Sequence, residues 1–167
     1  MKTEDSLAKH ALPQIAPEQR LAAAGFQLPV AQSPSANYIP FRRVGPLLYL
    51  SGHGPKAADG SYSRGRLRAH DDVPLGYAAA QLAALNMLAS VRLALGDLSK
   101  VEAVVKVLGM VNAAPEFEHH PSVIDGCSDV LIEAFGEGGR HARSAVGMGS
   151  LPHGMLVEIE AVLLVRD

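Results

Sequence analysis

The segment MLVEIEAVLLV, residues 155–165, is the tightest constraint on how this chain can fold. Side chains alternate between the two faces of a strand, so a strand apolar at nearly every position needs cover on both. Here only Glu158 and Glu160 break the apolar run. Helices packed on one face of a sheet would leave the other face apolar and open. An apolar second face implies a subunit interface, so a homo-oligomer is expected.

The elements before it set the fold class. PEQRLAAAGFQLP reads as a short helix that opens at Pro17 and stops at Gly25. A Pro- and Ser-rich arm follows, so residues 1–35 read as a helical extension and connecting arm, and 36–167 as a single domain. YIPFRRVGPLLYLSG predicts two strands turned at Val44-Gly45-Pro46. A polar, Gly-rich loop leads to a long helix capped by Asp71 or Asp72 and ended by Gly96. Leu82, Leu85, Ala89 and Leu93 give that helix a face to bury. VEAVVKVLGMVNA is a strand, with Val101, Ala103, Val105, Val107 and Val111 on one side at period two. A second helix runs through HPSVIDGCSDVLIEAF and stops at Gly136, Gly138 and Gly139. Strand pair, helix, strand, helix, strand pair is an α+β order: a mixed sheet with two helices packed on one face.

Composition narrows the function classes. A net charge of −2 gives no basic field to attract nucleic acid or an anionic membrane. A single cysteine, Cys127, cannot form an internal disulfide, which suits a reducing cytoplasm. The N-terminal sequence has no apolar core of a signal peptide. Gln81, Asn86, Ser90 and Arg92 interrupt the longest apolar tract, as in a buried helix of a soluble protein. A cytoplasmic protein is therefore expected.

The candidate chemistry lies in GGRHARSAVGMGSLPHGMLVEIEAV, which reads as two strands joined by a short Pro-Gly turn. Arg143 shares its strand face with Ala145, Gly147 and Gly149, which leaves space before the guanidinium. Arginine can hold a carboxylate there through two parallel hydrogen bonds. An ion pair with Glu158 or Glu160 is the other reading. Those two glutamates lie on one side of their strand, roughly 7 Å apart. A desolvated carboxylate can take a proton from water. The hairpin register decides whether Arg143 and Glu158 share a face; even then they are offset, so a shared site would lie between subunits. His119-His120 lacks a second ligand pair with metal spacing, and GEGGR follows a helix instead of preceding one, unlike a phosphate cradle. Cys127 reads as a packed mid-helix residue.

YLSGHGP, LGDLSKVEAVVKV and EAFGEGGRHARSAVGMGSLPHGMLVEIEAV together resemble the reactive intermediate deaminase family, also called RidA or YjgF, from about Tyr38 to Val165. The resemblance implies a fold like the small chorismate mutases, as a homotrimer around a central barrel with clefts between neighbours. It implies hydrolysis of small 2-imino or enamino acids to 2-oxo acids and ammonia, with no metal or organic cofactor. Arg143 matches the arginine that holds the substrate carboxylate, and Glu158 the glutamate that positions water. Tyr38 matches a cleft tyrosine, and Ser51-Gly52 the strand-end pair beside it. Ala145 stands where Cys is frequent, Asp129 about where Asn often lies, His53 in place of Gln, and His141 in place of Pro. A Gly-rich segment, 136–140, is extra. These departures resemble a divergent branch.

The expected partner is thus a small carboxylate-bearing metabolite, with neither nucleic acid nor membrane. A non-catalytic carboxylate binder is the main rival to a deaminase. An RNA-directed activity, described for family members, is disfavoured by the net charge and the 5% aromatic content. Chorismate mutase activity rests on fold analogy alone.

Overall fold

The computed structural model describes residues 15–31, 33 and 36–167; residues 1–14 and part of the expected arm lie outside them. Five strands form one mixed sheet in the order β1-β2-β5-β3-β4. These are β1 Phe41–Val44, β2 Leu47–Leu50, β3 Val101–Asn112, β4 Ala142–Met148 and β5 Val157–Val165. The long helices α2 (Val73–Leu95) and α3 (His120–Phe135) pack together on one face of the sheet. A short α1 (Pro17–Ala23) joins them, with Leu21 buried in the common core.

Pairing corrects the expected hairpin. β4 and β5 are not neighbours: β3 lies between them, parallel to β4 and antiparallel to β5. Residues 149–156 therefore form a crossover past β3 in place of a tight turn. His153, at φ 57°, and Gly154, at φ 66°, reverse the chain there.

The strict period two expected for β3 also fails. Register shifts between Val101 and Ala103 and between Val104 and Lys106 change which residues face the helices. Val101, Val104, Val107 and Val111 are buried, while Val105 is 44% exposed. An extra residue at each irregularity turns the alternation by one position.

Helix α2 is buried almost all round from Ala79 to Val91, because the sheet and α3 both cover it. Of the face expected through Leu82, Leu85, Ala89 and Leu93, Leu85 and Ala89 are buried, but Leu93 is largely exposed. The segment His70–Leu95 is long and apolar enough to cross a membrane by length and composition alone, and most of it lies in this core. Gly96, at φ 81°, ends the helix as expected. Asp72 precedes the helix, but its carboxylate accepts from the upstream N–H groups of Arg68 and Ala69 and fixes the entering loop instead.

Small residues let the layers approach. A β-carbon on Gly126 would strike the backbone oxygen of Tyr77 in α2, and one on Gly109 would strike Ile124. Gly138 passes closely by the backbone of Glu102 at the start of β3, and Gly139 by that of Leu131 in α3. The Gly-rich segment thus sits at the end of the sheet away from Glu158, which pairs with Met110.

The other sheet face carries Tyr49, Leu108, Met110, Val146, Val162 and Leu164, and among the described residues no element covers it. Val146 is 40% exposed and Tyr49 44%. That matches the apolar second face read from residues 155–165.

Gly126→Ala should lower stability by about 1–3 kcal/mol, because the backbone oxygen of Tyr77 cannot move aside without shifting α2. Urea unfolding measures it. An unchanged midpoint would mean that α2 and α3 do not depend on this approach.

Candidate functional site

Strand β2 ends at Leu50, and the next residues run beside the start of β5 through a bridge between His53 and Ile159. This brings Ser51 and Gly52 against Glu158. A β-carbon at Gly52 would collide with the Glu158 carboxylate, so only glycine leaves that carboxylate its place. The Ser51 hydroxyl donates to the Ile39 carbonyl at 2.7 Å and ties the segment to the approach to β1, where Tyr38 lies.

A cleft of about 540 Å³ opens there, lined among others by Tyr38, Ser51, Gly52, Tyr62, Glu158 and Glu160. A smaller recess of about 80 Å³ adjoins it behind Tyr38 and Tyr62, and Lys56 and His53 line it.

Glu158 has no ion-pair or hydrogen-bond partner among the described residues. Half-burial raises its pKa above the usual 4.5, and the nearby Glu160 adds to the rise. A carboxylate that is poorly solvated and unpaired is a better proton acceptor than one held in an ion pair.

His53 stands behind this wall. Its Nδ1–H donates to the Ser51 carbonyl at 2.6 Å, which leaves Nε2 to accept from the Ser90 hydroxyl at 2.8 Å. Burial lowers its pKa, so the ring is held neutral and braces the Ser51-Gly52 backbone. Asn86, one turn earlier on α2, donates to the carbonyls of Gly54 and Lys56, both at 3.0 Å. Asn86 and Ser90 are the two polar residues of the buried helix surface, four apart. They brace the wall of the candidate site, and no motif spacing marks them. Their signal was present as polar residues inside an apolar tract, which need partners when buried.

Arg143 lies elsewhere. It pairs with Val107, and Val107 with Ala161, on the helix-covered face. Glu158 pairs with Met110 on the open face. The two residues are two strands and three rows apart, about 14 Å between α-carbons, on opposite faces. The space expected before the guanidinium is filled by α3. Nη1 donates to Asp125 at 2.8 Å and to Ser128 at 2.9 Å, and Nη2 to the Pro121 carbonyl at 3.3 Å. Gly147 is capped by the His120 ring, and Ala145 packs on the core. The ion pair is with Asp125, neither Glu158 nor Glu160. Nε is left without a partner among the described residues.

A polar chain fixes this arginine. The Nδ1–H of His141 donates to the Gly139 carbonyl at 2.6 Å, and Nε2 faces the Ser128 hydroxyl at 3.1 Å. Burial lowers the His141 pKa, and the charge of Arg143 lowers it further. Asp129 accepts from the Tyr77 hydroxyl at 2.6 Å, which pushes the tyrosine up to about 12. Cys127 is fully buried with its thiol also pushed up to about 12, so it is packed in its resting protonated form. Tyr38, Ser51, Gly52 and Glu158 thus come together, while Arg143, Ala145 and Asp129 lie along α3 and the β4 edge.

Residues 18–162 match the family described as "YjgF/chorismate mutase-like, putative endoribonuclease". Protein TCP17 of Trypanosoma cruzi is 41% identical over 86% of this chain and 90% of its own. The crystal structure of Atu1372 from Agrobacterium tumefaciens, described as of unknown function, is 46% identical. It covers 90% of this chain and 92% of its own, with a TM-score of 0.83. A Shewanella oneidensis structure described as a "putative endoribonuclease" is 35% identical, over 90% of this chain and 100% of its own, at TM-score 0.85.

Because the folded pKa of Glu158 is raised, its ionised form costs stability above that pKa, and the cost vanishes as pH falls below about 4.5. Glu158→Gln should therefore melt higher than the wild type at pH 7, the two curves converging below pH 4. A lower melting temperature for the variant at pH 7 would mean that the carboxylate is stabilised in the fold.

Proposed function

From the premise that this chain belongs to the YjgF/chorismate mutase-like family, we propose that it hydrolyses small 2-imino or enamino acids to 2-oxo acids and ammonia. The observation that carries this reading is Glu158: unpaired, half-buried and raised in pKa on the wall of an open cleft beside Tyr38, Ser51 and Gly52.

The chemistry asks little of a protein. A protonated imine carbon is already electrophilic. Glu158 takes a proton from water as the oxygen bonds to that carbon, giving a carbinolamine. Glu158 then returns the proton to the nitrogen. The C–N bond breaks and ammonia leaves, while the hydroxyl gives its proton to the again-ionised Glu158 and its oxygen becomes the new carbonyl. Holding the substrate carboxylate converts a bimolecular encounter into an oriented one.

Arg143 is the residue for that carboxylate, and it cannot reach the Glu158 of its own chain. It lies on β4, an edge strand of the sheet. A second copy packed on the uncovered apolar face brings its β4 edge toward the cleft. The site is then composite, with Glu158 from one copy and Arg143 from the next, in a homotrimer. Asp125 and Ser128 hold the guanidinium by Nη1 while Nε stays available. Binding without turnover is a second reading, favoured by that Arg143–Asp125 pair, which already satisfies part of the arginine. RNA cleavage, which relatives' descriptions suggest for them, fits poorly with a cleft lined by both Glu158 and Glu160, since like charges repel a polyanion.

Ammonia release from freshly generated iminopropanoate and iminobutanoate tests the proposal. Wild type should exceed the uncatalysed rate, and Glu158→Gln and Arg143→Ala should each lose roughly 100-fold or more. An intact oligomer with no rate above background would favour binding without turnover.

A further inference from the structure

The recess behind Tyr38 and Tyr62 contains a cation that the proposed reaction does not use. Lys56 lines it, with its ammonium 5.4 Å from the Tyr62 ring centre. Among the described residues no carboxylate lies within ion-pair distance of it. Its position is built, not incidental. The Lys56 carbonyl accepts from Asn86, which is 5% exposed on α2, and the lysine bridges to Tyr62 across a short antiparallel turn. Tyr62 is itself stacked on His153, with ring centres 4.9 Å apart and planes within 7°. A lysine that is part-buried as a residue, with its backbone held by a buried amide and its ammonium over a tyrosine face, can serve as an anion receptor.

Resting on the deaminase reading of the cleft, we propose that Lys56 reads a second carboxylate, so the preferred substrates are dicarboxylic 2-imino acids. The charges match in three places. The cationic iminium group faces Glu158 and Glu160. The α-carboxylate meets the Arg143 supplied by the neighbouring copy. The side-chain carboxylate enters the recess and pairs with Lys56. At about 80 Å³ the recess has the room of roughly two or three waters, enough for a carboxylate on a short stem and too small for a bulky side chain.

Two readouts separate this inference from the reaction it rests on. The first is calorimetric binding of the stable products, 2-oxoglutarate against 2-oxobutanoate. Wild type should bind the dicarboxylate about tenfold tighter or more, Lys56→Met should abolish that ratio, and Lys56→Arg should keep it. Equal affinities in the wild type, a ratio that survives in Lys56→Met, or no binding of either acid would overturn the role of Lys56. The second readout is hydrolysis of the imines of glutamate and 2-aminobutanoate. The rate ratio should follow the binding ratio. Lys56-dependent binding with no hydrolysis of either imine would refute the deaminase reading while leaving the receptor in place.

Discussion

Strand β3 is the element on which everything else depends. It is long, it pairs along much of its length with β4 on one side and β5 on the other, and those neighbours run in opposite senses relative to it. That single placement fixes which face each charged side chain occupies. It sends Arg143 to the helices and Glu158 to the open face. It also leaves β4 as an edge. An arginine on an edge strand and a glutamate on an uncovered sheet face are groups that a neighbouring copy can unite and one chain cannot.

The cleft takes its properties from two polar residues inside an otherwise apolar helix. Burying Asn86 and Ser90 is tolerable only because both have partners. Those partners are the backbone of Gly54 and Lys56 and the ring of His53, all on the wall of the cleft or its recess. Core packing on α2 therefore transmits rigidity to the wall. Gly52 completes the wall by giving the Glu158 carboxylate room. The elevated pKa of Glu158 follows from that setting: it is partly desolvated, beside a second carboxylate, and without a cation of its own.

Much of this was legible in the sequence. Apolar cover on both faces of residues 155–165 predicted the exposed sheet face, and the element order predicted the mixed sheet with two helices. The Val44-Gly45-Pro46 turn and the stop at Gly96 were visible because turn and cap chemistry is local. Strand neighbours were not. Two strands separated by a Pro-Gly turn look like a hairpin, but β3 lies between them and pairs with both, and no local turn signal marks that crossover. Bulges in β3 were likewise invisible, since a shifted register costs no apolar residue: Val104 simply replaces Val105 on the inside. Asp125 was overlooked as the partner of Arg143 because it sits on a helix 18 residues upstream, where no spacing rule links it to a strand. Lys56 carried no signal of its own, since it sits in a polar Gly-rich loop and meets Tyr62 only across a turn.

The central claim is that Glu158 and Arg143 act together only across two copies of the chain. Mixing the inactive variants Glu158→Gln and Arg143→Ala, after dissociation and reassembly, tests it directly. Where each active site combines Glu158 of one copy with Arg143 of another, some sites in the mixed oligomers regain both residues. Imine hydrolysis should then return to a sizeable fraction of the wild-type rate. Mixed oligomers that form but stay as inactive as the separate variants would contradict a site shared between copies.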